Sequence, residues 1–300
     1  MERRLVGIVF NGRLNEARSL AQRIAQAVGP DAWLAPTEGL DSSARLMGRS
    51  RLVITVGGDG TILRTARLAA PSAVPIVGVN MGRVGFMTEL SPQEVLERLP
   101  AYLEGKGWIE ERTMLEARVV GSGHSPEEEG IPTFHGLNDA VVARGTVSRL
   151  IHLGVRVDGE DVATYAADGI IVASPTGSTG YALAVGGPIL DPRLDCLLLK
   201  PLAAHLGMNT ALVLPGQVKV DITVQSEHPV VLSVDGFQDL MLADGDTVRV
   251  ARSSYRARFL RAHPPSHFYR GLFVRLGIQP RPSTPLFSLP NEDARSPHDH

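Results

Sequence analysis

Cysteine is nearly absent from this chain, neither sign of charge is in excess, and no long hydrophobic run occurs. The single cysteine, Cys196, lies in the apolar run LDCLLLK without a second thiol to pair with. That excludes an intrachain disulfide framework, suits a reducing compartment, and makes Cys196 a small buried hydrophobe. The histidines are scattered and no Cys/His spacing suggests zinc. Lys plus Arg number 30 against 32 Asp plus Glu, a net charge of -2, so the footprint of a nucleic-acid or anionic-membrane binder is missing. No stretch approaches the roughly 18 apolar residues of a membrane span. The apolar part of MERRLVGIVFNGR is too short for a secretory signal core. The expectation is a cytoplasmic protein whose partners are neither nucleic acid nor membrane, with small charged ligands left open. No internal repeat is visible either.

What is present is an ordinary globular balance: 300 residues, 43% apolar and 21% charged, enough for one large domain or two ordinary ones. Up to about residue 105 short apolar runs alternate with helical patterns. Residues 5–10, 52–56 and 76–79 read as buried strands, and 16–28, 62–70 and 92–103 as helices, the last capped by Ser91 with Pro92 in its first turn. That alternation predicts an α/β domain with a parallel, doubly wound sheet. After Trp108 the chain becomes β-branched and often alternating over 114–120, 133–143, 150–157, 169–174, 218–224, 230–234 and 247–251, which predicts a mostly β second domain. GSGHSPEEEG (121–130) reads as a mobile hairpin loop. The predicted division is residues 1–107, with 264–278 packing back on them, then 108–263, then a disordered Pro- and Ser-rich tail over 279–300. The tail's HDH end reads as solvent-exposed rather than as a metal site.

Four stretches carry candidate chemistry. In LVITVGGDGTILRTARLAA (52–70) a strand runs through Gly57, Gly58, Asp59 and Gly60 into a helix, a setting in which bare backbone N–H groups meet phosphate. Thr61 is placed to cap that helix, and Asp59 to accept a proton or organise Mg²⁺. The loop has neither the lysine of a P-loop nor the G-x-G-x-x-G fingerprint of dinucleotide-binding dehydrogenases. In DGIIVASPTGSTGYALAVGG (168–187) four hydroxyls, Ser174, Thr176, Ser178 and Thr179, suit ribose or phosphate oxygens before an apolar helix, and Gly177 and Gly180 admit close approach. VGVNMGRVGFMTEL offers another backbone-exposing turn at Asn80, Gly82 and Gly85, with Phe86 as a flat face for a nucleobase. GLNDAVVARG sets Asn138 beside Asp139 at a strand start, where an amide and a carboxylate can read ribose hydroxyls, although N-D is also a common turn.

Together these stretches resemble the NAD kinase family. GGDGT (57–61), GVNMGRVGF (78–86), ERTMLEARV (111–119), LNDAVV (137–142), YAADGIIVASPTGSTGYALAVGGPI (165–189) and SVDGFQ (233–238) stand in the family's order and spacing, from about residue 5 to about 276. GGDGT is shared with lipid kinases and phosphofructokinases; the block from Asp168 to Gly187 is the specific part. The resemblance implies transfer of the γ-phosphoryl group of ATP, or of polyphosphate, to the 2′-hydroxyl of the adenosine ribose of NAD, in a homodimer or homotetramer. Mg²⁺ would come with ATP rather than sit in a metal cage of the chain. It implies that Asp59 is the base, flanked by Gly58 and Gly60, and that Phe86 contacts a base. Asn138 and Asp139 would bind the ribose and phosphate region. Asp168 would hold the nicotinamide end of a neighbouring subunit's ligand, and Thr176, Thr179, Gly180 and Tyr181 would line the adenosine side. Two departures stand out. Gly180 replaces the family's usual alanine, and in PLAAHLGMNTALVLP (201–215) His205 matches while Asn209 and Thr210 replace the usual Arg-Pro pair. Two rival readings are a lipid kinase of the diacylglycerol or sphingosine type, against which the polar SPTGSTGY loop argues, and a non-catalytic NAD-binding regulator, against which intact Asp59, Asn138 and Asp168 argue.

Overall fold

The computed structural model describes residues 4–82, 85–120, 133–146, 149–204 and 209–276. The loop at 121–130, His205 and the tail from 279 lie outside these. The chain divides into two compact units, Met1–Pro264 and Pro265–His300. Of the second, the described element is the helix His267–Arg275.

The first unit begins with β1 (Leu5–Phe10), α1 (Asn15–Val28), β2 (Ala32–Pro36), a short α2 (Ala44–Gly48), β3 (Ser50–Gly57), α3 (Asp59–Ala69), β4 (Ile76–Asn80) and α4 (Glu94–Leu103). The four strands are parallel in the order β2-β1-β3-β4. Successive side chains of a strand face opposite sides. Ile8, Ile54 and Val77 therefore pack with Leu20 and Ile24 of α1 and Leu99 of α4, while Val9, Val53 and Ile76 pack with Met47 of α2 and Ile62 of α3. Helices on both faces make the sheet doubly wound, as the alternation predicts. β2 and α2 escape the sequence pattern because β2 is a five-residue edge strand with Leu34 exposed, and α2 is little more than one turn. Ser91 does not cap α4. Its amide and hydroxyl both donate to Glu94 Oε2, at 2.9 and 2.7 Å, and the helix starts at Glu94, beyond Pro92.

The remaining strands are β5 (Trp108–Val120), β6 (Thr133–Gly136), β7 (Asp139–Arg144), β8 (Ile151–Val157), β9 (Glu160–Ala167), β10 (Gly169–Ala173), β11 (Cys196–Leu202), β12 (Leu212–Pro215), β13 (Val220–Gln225), β14 (Val230–Val234), β15 (Gln238–Leu242) and β16 (Thr247–Arg261). The parallel sheet continues through β16, β13, β8 and β9, with β5 and β6 alongside, and a second, antiparallel sheet runs β12-β11-β10-β7-β14-β15. The two sheets share a core of Leu153, Val155, Val220 and Ile222 against Val142, Val172, Leu199 and Leu232. β16 outruns its expected end at Ala251. Its second half keeps Ala257, Phe259 and Leu260 buried between arginines and pairs with β4 at Phe259 and Ile76, so one sheet crosses the boundary drawn at residue 107. The run expected as one strand over 133–143 is two, broken at Leu137 and Asn138.

Leu137, at that break, is fully buried in the core that holds Ile62, Leu63 and Ala66 of α3 together with Met87. It ties the start of β7 to the helix behind the glycine loop. Removing a buried leucine side chain leaves a cavity, so Leu137→Ala is expected to cost about 2–5 kcal/mol in urea unfolding. Leu34→Ala, on the exposed edge strand, should stay within about 0.5 kcal/mol.

Candidate active site

β3 is buried along most of its length and ends at Gly57, which delivers Gly58 to the first turn of α3. A β-carbon at either Gly58 or Gly60 would meet nothing within 4 Å, so the backbone there opens onto free space. The first amides of a helix have no intrahelical partner. Thr61 does not cap α3: the N-terminal flank is Gly58, without a side-chain hydrogen bond, and Thr61 is buried within the first turn. A cleft of about 330 Å³ lies over this loop, lined by Asn11, Arg13, Thr37, Glu38, Gly58, Gly60, Thr61 and Arg64. Glu38 stands 3.5 Å from Arg13, and its carboxyl is held below the usual range by its own backbone amide first, with burial opposing and Thr37 and the Arg13 charge adding to the lowering. The Arg64 guanidinium sits 4.7 Å from the centre of the Phe237 ring.

Asp59 is half-buried and turns its carboxylate away from the helix to the loop after β4. Oδ2 accepts from the amide of Phe86 at 2.8 Å, and Oδ1 from the amide of Met87 at 3.1 Å. A β-carbon at position 85 would overlap this carboxylate, so only glycine lets the two segments meet. Upstream, the Asn80 side chain closes a turn on both backbone groups of Gly82. A carboxylate has about four acceptor positions, and the two amides leave Asp59 able to accept a further proton.

The second group gathers where β7 starts. Asp235, in the left-handed region at φ 53 in the turn after β14, accepts from the amides of Leu137, Asn138 and Asp139 at 2.8, 2.7 and 3.2 Å. That capture explains the break between β6 and β7. Beyond β10, the Ser174 amide donates to the Asn138 carbonyl at 2.8 Å, and Gly177 packs so closely on that carbonyl that a β-carbon would collide with it. Three of the four hydroxyls expected to meet ligand are spent on backbone carbonyls. Ser174 donates to the Leu137 carbonyl, Ser178 to Pro175, and Thr179 to Thr176 at 3.0 Å. Short hydroxyl side chains in a tight turn find backbone carbonyls first. Thr176 Oγ1 and Asn138 Oδ1 are the exceptions, both buried without a hydrogen-bond partner. The segment after them is a short turn and a single helical turn, Tyr181–Ala184, rather than the expected longer helix.

Asn138, Asp139, Val141, Tyr181, Ser233, Asp235 and Gly236 line a cleft of about 400 Å³. Burial, with the charge of Asp235 as a second cause, pushes the Asp139 carboxyl up to about 7. Asp235 is raised by burial to about 6, opposed by its three amides. The amides favour the charged form of Asp235, so Asp139 is the member of the pair that takes the proton first. Phe237 follows Gly236 and stacks under Arg64, so the two clefts adjoin along that pair.

The structure thus brings Gly58, Asp59, Gly60 and Phe86 into one group, and Asn138, Asp139, Thr176, Thr179, Gly180 and Tyr181 into another, with the core around Leu137 behind both. Asp168 is separate. It precedes β10 while Ser174 follows it, about 20 Å apart at strand rise, and it pairs with Arg144 at 3.0 Å. Sequence reasoning quoted SVDGFQ without giving Asp235 a role, and passed over Asn11, Arg13, Glu38 and Arg64. The D-G in that run signals a turn, but nothing local shows which amides the turn will capture. Asp139→Asn tests the electrostatics. A carboxyl raised in the fold favours folding below its unfolded value near 4, and that contribution is lost as pH climbs through about 7. In urea unfolding, the variant should gain on the unmodified chain by at least about 1 kcal/mol between pH 5 and pH 8.

A family model described as the ATP-NAD kinase N-terminal domain matches residues 41–107, and one described as the ATP-NAD kinase C-terminal domain matches residues 137–262. The NAD kinase of Dehalococcoides mccartyi is 41% identical over 274 residues, 90% of this chain and 95% of that protein. The NAD kinase of Chloroflexus aurantiacus is 36% identical over 275 residues, covering 90% and 98%. Among solved structures, yeast NADH kinase complexed with NADH shares the fold at a TM-score of 0.81 and 23% identity, covering 92% of this chain and 88% of that one. An NAD kinase from Archaeoglobus fulgidus in complex with ATP aligns at 0.66 and 26% identity, covering 91% and 98%.

Proposed function

The chain belongs to the ATP-NAD kinase family, enzymes that phosphorylate NAD at the expense of ATP, and we propose that Asp59 is its general base. The observation that carries the reading is the Asp59 carboxylate, held by the amides of Phe86 and Met87 between two glycines that open onto free space. The 2′-hydroxyl of the adenosine ribose gives its proton to Asp59 as its oxygen bonds to the γ-phosphorus of ATP; the bond from that phosphorus to the bridging oxygen breaks, and ADP leaves. Phosphoryl transfer asks the protein mainly for position and for groups that take up charge. Gly58 and Gly60 supply open backbone, and Arg13 and Arg64 supply cations, in the cleft suited to the donor's phosphates. Asn138, Asp139, Thr176 and Tyr181 surround the NAD side, where the orphaned Asn138 Oδ1 and Thr176 Oγ1 await a ligand's polar groups. Thr179 and Gly180 shape that turn, and Phe86 lies against the nucleotide.

Among the described residues no three His, Cys, Asp or Glu side chains gather as a metal cage. Mg²⁺ arriving with ATP keeps waters and needs only a carboxylate or two, and Glu38 beside the loop fits that demand. Bound there, the ion would offset charge on the transferring phosphoryl group. Polyphosphate would suit the same cationic cleft as an alternative donor. We assign the working form as a cytoplasmic homodimer or homotetramer, in which Asp168, paired with Arg144 away from the rest of the site, would serve a neighbouring subunit's ligand. The described helices include none long and apolar enough to cross a membrane. We divide the first unit at residue 107 into a donor-side α/β domain and a β-rich NAD-side domain, the latter ending at 263. The relatives favour neither a lipid acceptor nor a non-catalytic regulator.

The purified protein should form NADP only when NAD, ATP and Mg²⁺ are all present, read with an NADP-specific dehydrogenase. Asp59→Asn should lower kcat on the order of 10²–10⁴-fold while leaving NAD affinity nearly unchanged. A kcat near that of the unmodified enzyme would make Asp59 a turn residue.

A further inference from the structure

Beneath the loop that holds Asp59 lies a buried ionic network with no part in either cleft. Arg112 on β5 and Arg261 on β16 are 3% and 6% exposed and set their guanidinium carbons 4.9 and 4.7 Å from the centre of the Phe259 ring. Glu110 lies between them. It accepts from Arg261 Nε at 2.7 Å, and from Arg112 Nη2 at 3.2 and 3.3 Å. Arg261 also reaches outward, its Nη1 donating to the Met87 carbonyl at 2.9 Å and to Glu89 Oε2 at 3.2 Å. The other oxygen of Glu89 accepts from the amides of Ala262 and His263 at 2.9 and 3.0 Å. Met87 and Glu89 are thereby tied to the end of β16. Met87 is also the residue whose amide donates to Asp59 Oδ1.

Replacing a buried ion pair with apolar side chains of similar volume is often neutral or stabilising, so such a network is weak evidence of a stability role and directs attention to the geometry it fixes. The fixed point is the loop after β4, which has Arg261 on one side of Met87 and Asp59 on the other. The charge of Asp59 is also felt at Arg112, where it is one of the influences opposing the downward push of burial. We propose that Arg261 is a positioning residue for phosphoryl transfer: by gripping the Met87 carbonyl it fixes the amides that aim the Asp59 carboxylate, with Glu110 and Arg112 fixing Arg261 in turn. This rests on Asp59 being the base. None of Glu89, Glu110, Arg112 and Arg261 lines either cleft, so the effect is expected on the rate of transfer rather than on NAD binding.

A double-mutant cycle tests it, with kcat, the KM for NAD and a thermal melt recorded for each full-length variant. Arg261→Lys keeps the charge but loses the fork that spans Glu110 and Met87. In the otherwise unmodified enzyme it should lower kcat by about tenfold to a hundredfold, the scale of a small misplacement of a catalytic group, at nearly unchanged KM. In the Asp59→Asn background the same change should alter kcat by less than about twofold, because nothing is left to aim. Glu110→Gln, which keeps the shape of its side chain, should show the same dependence on Asp59 and decides the matter if Arg261→Lys does not fold. An equal loss in both backgrounds, or a change in KM with kcat intact, would show a structural role and overturn the proposal. A near-normal kcat for Asp59→Asn alone would instead overturn the base on which it rests.

Discussion

The approach of the Asp59 carboxylate to the backbone at Gly85, Phe86 and Met87 is the constraint around which the site is arranged. It joins two loops at neighbouring strand ends, the one after β3 and the one after β4. In an open parallel sheet these ends are where ligands bind, because the strands deliver their loops to one edge and helix N-termini face it. Were Asp59 turned instead toward solvent, the loop after β4 would lose the acceptor of two amides, and the carboxylate would lose its orientation. The same contact links the site to the scaffold, since Met87 is buried with Leu137, Ile62 and Phe259. One core therefore carries the glycine loop, Asp59 and the segment bearing Asn138.

The clefts on either side differ in chemistry. Over the glycine loop the groups are open backbone, two arginines and one carboxylate, a mixture suited to polyanions. Over Asn138 they are two buried carboxylates, an amide and an aromatic ring, a mixture suited to hydroxyls and flat rings. Burial raises both carboxyls, and the three amides on Asp235 bias the shared proton toward Asp139. A neutral Asp139 can donate as well as accept, which is useful opposite a ribose.

Much of this was legible in the residues. The alternation of apolar runs and helical patterns up to residue 105 predicts the doubly wound sheet, because burial on both faces gives such strands a continuous apolar signature. The glycine loop and the Asp168 to Gly187 block each contribute residues to one of the two clefts, and their glycines mark them because close backbone approach leaves glycine little competition. Other features depend on partners far away in sequence. No local pattern shows that Ser178 and Thr179 spend their hydroxyls inside their own turn and Ser174 spends its own on Leu137 while Thr176 stays free, since that depends on which carbonyls the fold brings near. Asp235 lies 97 residues from Asn138, whose amide it holds, and Arg261 lies 174 from Met87. β16 is hidden because arginines interrupt its apolar alternation, yet two of them, Arg258 and Arg261, pair with acids of β5.

The most direct test of this account is steady-state kinetics and NAD binding of Gly85→Ala. A β-carbon there must displace either the loop or the Asp59 carboxylate. The account predicts a kcat lowered by at least about tenfold, the scale set by misplacing a catalytic group, with NAD affinity by calorimetry changed by less than about threefold. An unchanged kcat in the folded variant would contradict it, because the base would then be indifferent to the contact that holds it.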